Sequence, residues 1–157
     1  GLLSFVRTSS KAVAVDLGAS LDASVQALSW RLPPGLKVER DYRLPEPVWG
    51  DPGSLNQVWV NLLDNAVRAL GPDGVVKVAT SRDGEDAVVS IIDNGVGIKP
   101  EHMERLFQPF FSTRDAGEGT GLGLAICHSL IIAMQGELTV ESTVGQGTCF
   151  RVVLPTT

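Results

Sequence analysis

One long amphipathic segment, residues 55–70, constrains the fold more than any other part of the sequence. Its apolar residues recur at the i, i+3, i+4 and i+7 positions of a helix, so one face must be buried against a second layer. These residues are Leu55, Val58, Trp59, Leu62, Leu63, Ala66, Val67 and Leu70. Ser54 is placed to cap the start of this helix, and Gly71-Pro72 to end it. The sequence therefore predicts a helix packed across a hydrophobic core.

Strands and further helices surround this helix without the regular alternation of a doubly wound fold. Apolar or alternating stretches predict strands at residues 12–17, 38–44, 75–81, 87–93, 138–142 and 148–154. Helical spacing predicts helices at residues 21–32, 100–107 and 121–136, and residues 45–52 are predicted to be an extended connection. This order predicts an open mixed sheet covered on one face by helices.

The charge and hydropathy of the chain exclude several classes of protein. Its 157 residues are about one domain in size, and its 43% hydrophobic and 20% charged residues fit a globular domain. The net charge of −5 disfavours non-specific binding to nucleic acid or to a membrane surface, which needs a basic face. The longest apolar stretch, residues 122–134, is shorter than the roughly 20 residues of a membrane span, and the N-terminus lacks a signal-peptide pattern. Cys127 and Cys149 lack metal-ligand spacing and are expected to be buried free thiols, so a cytoplasmic location is predicted.

The helix at residues 55–70 also carries a polar stripe. Asn61, Asp64, Asn65 and Arg68 recur at i, i+3, i+4 and i+7. A solvated helix face is one interpretation, but such faces favour Glu and Lys, whereas asparagine is a poor helix former. Side-chain oxygens can hold Mg²⁺ beside phosphate oxygens, and an arginine can neutralise an anion. The stripe therefore indicates a site for a metal–phosphate ligand, with the solvated face as the alternative.

Two glycine-containing segments are further candidates for a ligand site. Residues 93–98 follow an apolar strand directly, and they are either a plain turn or a pocket in which Asp93 accepts a hydrogen bond from a ligand amine. Residues 118–124 are not a dinucleotide fingerprint, because the preceding residues 112–118 are polar. They are not a Walker P-loop either, because no Lys-Ser or Lys-Thr follows the glycines. What remains is a flexible loop before a helix N-terminus that favours phosphate, or a mobile linker.

The order of these motifs resembles the ATP-binding catalytic domain of sensor histidine kinases. The matching segments are residues 61–66, 93–97, 119–124 and 145–148, with Phe107 and Phe110 between the second and third. The resemblance covers about residues 13–155 and implies the Bergerat ATP-binding fold shared with DNA gyrase and the large chaperone ATPases. That fold is an α+β two-layer sandwich in which three helices cover one face of a mixed, mostly antiparallel sheet. The short segment at residues 110–114 is most similar to the corresponding segment in the nitrogen- and oxygen-sensing branch of the family.

The resemblance implies a role for each matching residue. Asn65 looks like the Mg²⁺ ligand, and Asn61 and Asp64 line the same phosphate site. Arg68 and Arg114 match positively charged residues that contact the phosphates. Asp93 resembles the adenine-reading aspartate, with Thr148 in a supporting contact. The two glycine motifs comprise Gly95, Gly97 and Ile98, and then Gly119, Thr120, Gly121, Leu122, Gly123 and Leu124. Phe107 and Phe110 resemble the phenylalanine box that docks on the phosphoacceptor helix, with core packing as the alternative.

One position distinguishes this chain from the ATPases of the family. Those relatives carry a glutamate four residues before the magnesium-binding asparagine, where it activates the attacking water. Here that position is Asn61, which cannot act as a base. An asparagine fits transfer to a neutral imidazole better than hydrolysis. Neither His102 nor His128 resembles the family's phosphoacceptor motif, so the acceptor histidine is expected on another domain.

The expected function is therefore that of a histidine-kinase catalytic domain with ATP and Mg²⁺ as cofactors. Its partners would be a histidine-bearing dimerisation domain and, downstream, a response regulator. Residues 1–12 resemble the tail of the dimerisation hairpin, and residues 13–157 are predicted to be the ATP-binding domain. The parent protein would be either soluble or anchored in a membrane. A GHKL-type ATPase and a non-catalytic nucleotide-binding module are the alternatives.

Overall fold

A computed structural model describes residues 12–111 and 123–156 of the chain. Its α-helices are α1 (Leu17–Leu28), α2 (Pro52–Arg68), α3 (Pro100–Met103) and α4 (Gly123–Ala133), and a 3-10 turn at Ser29–Arg31 follows α1. Its strands are β1 (Val13–Val15), β2 (Lys37–Tyr42), β3 (Val48–Gly50), β4 (Val75–Asp83), β5 (Asp86–Asp93), β6 (Glu137–Thr143) and β7 (Gly147–Pro155). The alternation of strands and helices is irregular, as predicted.

Five strands form one sheet in the order β2-β4-β5-β7-β6. The β2–β4 pair is parallel, and the three other pairs are antiparallel. The prediction of a mixed, mostly antiparallel sheet is therefore confirmed. The short strands β1 and β3 pair antiparallel in a separate two-stranded ribbon.

The three longer helices α1, α2 and α4 pack over this sheet, which confirms the predicted helical layer. The α2 helix lies between the other two, and its side chains Leu55, Val58, Trp59 and Leu62 are completely buried. The indole Nε1 of Trp59 donates to Ser20 Oγ at 3.0 Å, which ties α2 to α1. The amphipathic segment identified in the sequence is thus the centre of the core.

The α2 helix begins three residues before the predicted start. Asp51, not Ser54, is the N-cap: its Oδ1 accepts from the backbone N–H of Gly53 at 3.2 Å. The Ser54 hydroxyl instead donates to Asp51 Oδ2 at 2.8 Å. Pro52 fits the first helical position because its missing N–H would have no partner there. The prediction of Ser54 as the cap was wrong because an aspartate–proline pair starts the helix earlier.

Two boundaries near the N-terminus also differ from the prediction. The first helix begins at Leu17 instead of residue 21, because Asp16 caps it by accepting from the backbone N–H of Ala19 at 3.1 Å. The predicted connection at residues 45–52 contains β3, whose residues Val48 and Gly50 are buried against the core. Pairing with β1, which is distant in sequence, makes this short segment a strand.

Other predictions are confirmed in part. Cys127 and Cys149 are free thiols, but only Cys127 is buried, and Cys149 is half-buried on β7. None of the helices within residues 12–111 and 123–156 combines the length and apolar character that crossing a membrane requires. The predicted third long helix is described from Gly123 and ends at Ala133, three residues before Gly136.

Candidate nucleotide-binding site

The polar stripe of α2 reaches the beginning of α4 through Asn61. Asn61, Asp64 and Asn65 are half-buried, unlike an ordinary solvated face. The Nδ2 of Asn61 donates to the backbone oxygen of Gly123, the first residue of α4, at 3.4 Å. The structure therefore places Asn61 beside the first residue of α4, and Asp64 and Asn65 are likewise partly shielded from water.

The Asp64 carboxylate is held by two arginines. Its Oδ2 accepts from Arg68 Nε at 3.1 Å, one helical turn later, and its Oδ1 lies 3.0 Å from Arg31 Nη2. Both oxygens are thus engaged with guanidinium groups, which makes Asp64 a partner of Arg68 more than a metal ligand. Sequence reasoning missed Arg31, because nothing in the local pattern indicates that the turn after α1 reaches the last part of α2.

A buried thiol lies beneath Asn61. The Cys127 side chain on α4 is fully buried, and its Sγ lies 3.7 Å from the backbone oxygen of Val58 on α2. Burial raises the pKa of this thiol to about 12, and hydrogen bonding with the Asn61 side chain opposes part of that rise. The thiol therefore stays protonated at neutral pH and acts as a packing group between α2 and α4.

Asp93 lies at the end of β5 with 5% of its surface exposed. Its Oδ1 accepts from the backbone N–H of Gly95 at 2.8 Å, and across the sheet it pairs with Thr148. Burial raises the pKa of the Asp93 carboxyl, whereas hydrogen bonds from the backbone N–H groups of Gly95 and Thr148 lower it. A carboxylate in this shielded position interacts strongly with any donor that reaches it.

Ser142 supports this region and was not identified from the sequence. Its Oγ accepts from the backbone N–H of Ile98 at 2.8 Å and donates to the backbone oxygen of Gly147 at 2.9 Å. Because its single O–H is used there, the hydroxyl of Thr148, 2.9 Å away, is the donor of that pair. Ser142 thus joins the Ile98 end of the first glycine motif to β7.

The glycines of the first motif allow two close backbone approaches. A Cβ on Gly95 would overlap the backbone oxygen of Ala69, the C-cap residue of α2, and a Cβ on Gly97 would overlap that of Thr143. Gly97 also has a φ of +77°, which favours glycine. The neighbouring backbone N–H of Val96 donates to Ala69 O at 3.1 Å. The motif therefore joins the end of β5 to the end of α2, and it brings Asp93 towards the polar stripe.

The second glycine motif is only partly described. Gly123 opens α4, and Leu124 packs half-buried against the core. Five predicted site residues lie outside the described residues, namely Arg114, Gly119, Thr120, Gly121 and Leu122. The predicted N-terminal remnant also falls there, except for residue 12.

The two phenylalanines have different surroundings. Phe107 is half-buried, packs against the core and stacks on the ring of His128 with centroids 5.1 Å apart. Phe110 is 76% exposed and has a φ of +68°, which is unfavourable for a residue with a side chain. Core packing therefore accounts for Phe107 in part, but it does not account for Phe110.

The donor set of the α2 stripe fits magnesium with nucleotide phosphates. Within residues 12–111 and 123–156, no three His, Cys, Asp or Glu side chains converge as a metal cage. Mg²⁺ keeps several waters and is commonly bound by one or two protein oxygens together with substrate phosphates. The half-buried amide of Asn65 can provide one such oxygen.

Comparison with known proteins agrees with this geometry. Residues 50–157 match the family described as "Histidine kinase-, DNA gyrase B-, and HSP90-like ATPase". Sensor histidine kinase ZraS of Escherichia coli (strain K12) is 37% identical over 145 residues, which cover 90% of this chain and 30% of ZraS. The mycobacterial sensor histidine kinase MprB structure has a TM-score of 0.81 at 30% identity, covering 92% of this chain and 97% of that one. The structure of full-length ShkA in complex with AMPPNP has a TM-score of 0.83 at 31% identity, covering 94% of this chain and 32% of that one.

The extent of these matches defines what this chain shares with its relatives. It spans less than a third of the length of the curated sensor kinases that it matches. The family match covers residues 50–157, and the structural similarity to MprB extends over nearly the whole of both chains. The chain belongs to the histidine kinase-, DNA gyrase B- and HSP90-like ATPase family, and within it to the ATP-binding catalytic domains of sensor histidine kinases.

Proposed function

We propose that this domain binds Mg-ATP and transfers the γ-phosphoryl group to a histidine on a separate dimerisation domain. The observation that carries the proposal is the contact between Gly95 and Ala69, which joins a buried carboxylate to a helix bearing amide and guanidinium groups. The Asp93 end of this arrangement suits a nucleobase with an exocyclic amine, and the α2 end suits phosphates. The bound AMPPNP named for ShkA, a structural neighbour, supports an adenine nucleotide as the ligand.

Asp93 would recognise the adenine. An ionised carboxylate only accepts hydrogen bonds, so it favours the exocyclic amine of adenine and repels the carbonyl oxygen at the equivalent position of guanine. The burial of Asp93 excludes competing water and strengthens that discrimination. The Thr148 hydroxyl, which is also buried, lies beside it on β7.

Residues of α2 would hold the phosphates. Mg²⁺, when bound, supplies positive charge to the β- and γ-phosphates, and the Asn65 side-chain oxygen would hold it together with phosphate and water oxygens. The Arg68 guanidinium would bind phosphate oxygens directly. Arg114, Gly119, Thr120, Gly121 and Leu122 are proposed to complete this end of the site.

The reaction needs positioning and charge neutralisation more than covalent chemistry by the protein. A neutral imidazole nitrogen of the acceptor would attack the γ-phosphorus with its lone pair, while the bond to the β–γ bridging oxygen breaks and ADP leaves. Asn61 is not a base, and its amide donates to the backbone of Gly123, so it is suited to hold α2 and α4 together. This arrangement favours transfer to histidine over activation of water.

Phe110 is proposed as the contact with the acceptor domain, assisted by the neighbouring Phe107. The ring of Phe110 is 76% exposed on a backbone with positive φ, so its apolar surface is available to a partner. The remaining context follows from this function. Residues 1–12 would continue into the dimerisation hairpin, a response regulator would take the phosphoryl group next, and the domain would work in the cytoplasm without contacting nucleic acid or a membrane.

A transfer assay tests the proposal. The chain is mixed with a histidine-bearing dimerisation domain and with ATP labelled at the γ-phosphate, and the label on protein is followed. We expect label on the acceptor that is lost in acid and stable in base, as for phosphohistidine. A dimerisation domain whose acceptor histidine is replaced by glutamine is the control. Adenine nucleotide binding without transfer to any acceptor would show a binding module instead.

A further inference from the structure

The Arg31–Asp64–Arg68 chain of ion pairs connects the end of α1 to the phosphate side of α2. Arg31 lies on the 3-10 turn that follows α1, and its guanidinium carbon is 5.5 Å from the ring centroid of Trp30. Its Nη2 is 3.0 Å from Asp64 Oδ1, and the other oxygen of Asp64 accepts from Arg68 Nε at 3.1 Å. All three side chains are partly shielded from water, with exposed fractions of 26–36%.

We propose that Arg31 is a positioning residue that holds the Arg68 guanidinium, through Asp64, in the orientation that binds nucleotide phosphates. The inference rests on the proposed function, because it concerns the same site. It assigns a role to a residue outside the motif that carries Asp64 and Arg68.

A single ion pair within one helix would hold Arg68 only weakly. Pairs spaced i, i+4 on a helix surface contribute little, because ordering two long side chains offsets much of their attraction. The second contact of Asp64 comes from a different element, so it fixes the carboxylate between α1 and α2. An aspartate anchored in this way restricts the Arg68 rotamers further than the pair alone.

Arg31 also changes the charge that an incoming phosphate meets. Asp64 and Arg68 together carry no net charge, and the aspartate would repel a phosphate that approaches the arginine. The additional guanidinium of Arg31 leaves the group of three with one net positive charge. Arg31 therefore favours an anion at this end of the site without contacting it.

Calorimetric titration with AMPPNP, and with adenosine as a ligand that lacks phosphates, separates this role from a structural one. For Arg31→Gln we expect AMPPNP affinity to fall about 3- to 10-fold while adenosine affinity is unchanged. In an Arg68→Gln background the same change should have a smaller effect, because the positioning through Arg68 is gone and only the charge of Arg31 remains. Arg31→Lys should recover part of the affinity, since an ammonium can still pair with Asp64.

Arg40→Gln is the matched control. It makes the same change of charge and breaks an ion pair to α1, in which Arg40 Nε is 2.7 Å from Asp22 Oδ1. That pair, unlike the pair of Arg31 with Asp64, includes no residue of the α2 stripe. We expect its nucleotide affinities to match those of the wild type.

Three results would overturn the role of Arg31. These are wild-type AMPPNP affinity in Arg31→Gln, an equal loss for AMPPNP and adenosine, or a full effect that persists in the Arg68→Gln background. Thermal unfolding of each variant shows whether it is folded. If Arg31→Gln does not fold, Arg31→Lys is used for the same measurements. A wild-type chain that binds no adenine nucleotide would overturn the proposed function and this inference together.

Discussion

The backbone N–H of Gly95 donates to Oδ1 of Asp93 at 2.8 Å, so the carboxylate is fixed by the loop that it precedes. The same loop is held against α2, because the backbone N–H of Val96 donates to Ala69 O at 3.1 Å. An ionised carboxylate has about four acceptor positions, which leaves room for a ligand donor beside these internal bonds. The orientation of the Asp93 carboxylate is therefore coupled to the end of α2, the helix that carries the residues proposed to bind phosphates.

Replacing Asp93 with asparagine should weaken ATP binding and reduce the preference for adenine. An amide has a single acceptor oxygen, and its NH₂ would face either a backbone N–H or the ligand amine. Losing one charge-assisted hydrogen bond of about 1.5–3 kcal/mol predicts an affinity about 10- to 100-fold lower. Calorimetric titration with ATP and GTP measures both effects. An Asp93→Asn variant with unchanged ATP affinity and unchanged selectivity would contradict this pocket.

Adenine binding should also depend on the protonation of Asp93. Burial raises the pKa of this carboxyl above that of an ordinary aspartate, so the ionised acceptor is lost at a higher pH than usual as the solution is acidified. We expect adenosine affinity to fall as the pH is lowered through this raised pKa. The folded state holds this proton more tightly than the unfolded state, so the contribution of Asp93 to stability falls as the pH rises from about 4 through the folded pKa. Asp93→Asn should lack this pH dependence in both adenosine affinity and stability. If the variant had the same pH profile as the wild type, the pH dependence would belong to another group.

Asn65→Ala should remove most of the magnesium-dependent part of nucleotide binding. The variant loses the one side-chain oxygen assigned to the metal, and a change at a metal site lowers affinity by about 10-fold or more. The measurement is the ratio of AMPPNP affinities with Mg²⁺ and with a chelator. Gln57→Ala removes an exposed amide from the same helix and should keep the wild-type ratio. If the two variants had equal ratios, the metal would be held elsewhere.

Alanine variants of the two phenylalanines should differ, one affecting docking and the other affecting stability. Phe110→Ala removes an exposed ring, so we expect unchanged unfolding but phosphoryl transfer to the dimerisation domain about 10-fold slower, as for a loss of 1–2 kcal/mol at an interface. Phe107→Ala removes a half-buried ring that stacks on His128, and it should lower the free energy of unfolding by about 1–3 kcal/mol. Nucleotide affinity should be retained in Phe110→Ala. Normal transfer by that variant would remove Phe110 from the docking surface.

The sequence predicts the layers of the fold well because burial is periodic. The apolar spacing of residues 55–70 identifies the central helix, and the continuous apolar run before Asp93 identifies the central strand β5. Boundaries are less predictable, because short interactions decide them. The contact of Asp51 with Gly53 moves the start of α2, and pairing with β1 converts part of a connection into β3.

The sequence motifs of the candidate site could be predicted, but the residues that support those motifs in the fold could not. Asp93 and the α2 stripe stand out through residue type and spacing. Arg31, Ser142 and Cys127 reach the site through tertiary packing, and no local pattern indicates those contacts. The glycines were identified for a different reason than the one the structure provides. They were singled out as part of a turn or a ligand pocket, and in the structure Gly95 and Gly97 permit close packing of backbone on backbone.

Gly145 lies in the turn between β6 and β7, Gly147 is the first residue of β7, and the two should differ in their tolerance of alanine. A Cβ on Gly147 would overlap the backbone oxygen of Asp93 and approach Asn94, and its φ of +132° favours glycine. We expect Gly147→Ala to lower the free energy of unfolding by about 3 kcal/mol or more. Gly145 has a φ of +83° with nothing near its Cβ position, so Gly145→Ala should cost only the backbone strain of about 1–2 kcal/mol. Urea unfolding of both variants measures the difference. Because the clash displaces Asp93, adenosine affinity should fall in a folded Gly147→Ala and remain unchanged in Gly145→Ala, and equal behaviour of the two would contradict this contact.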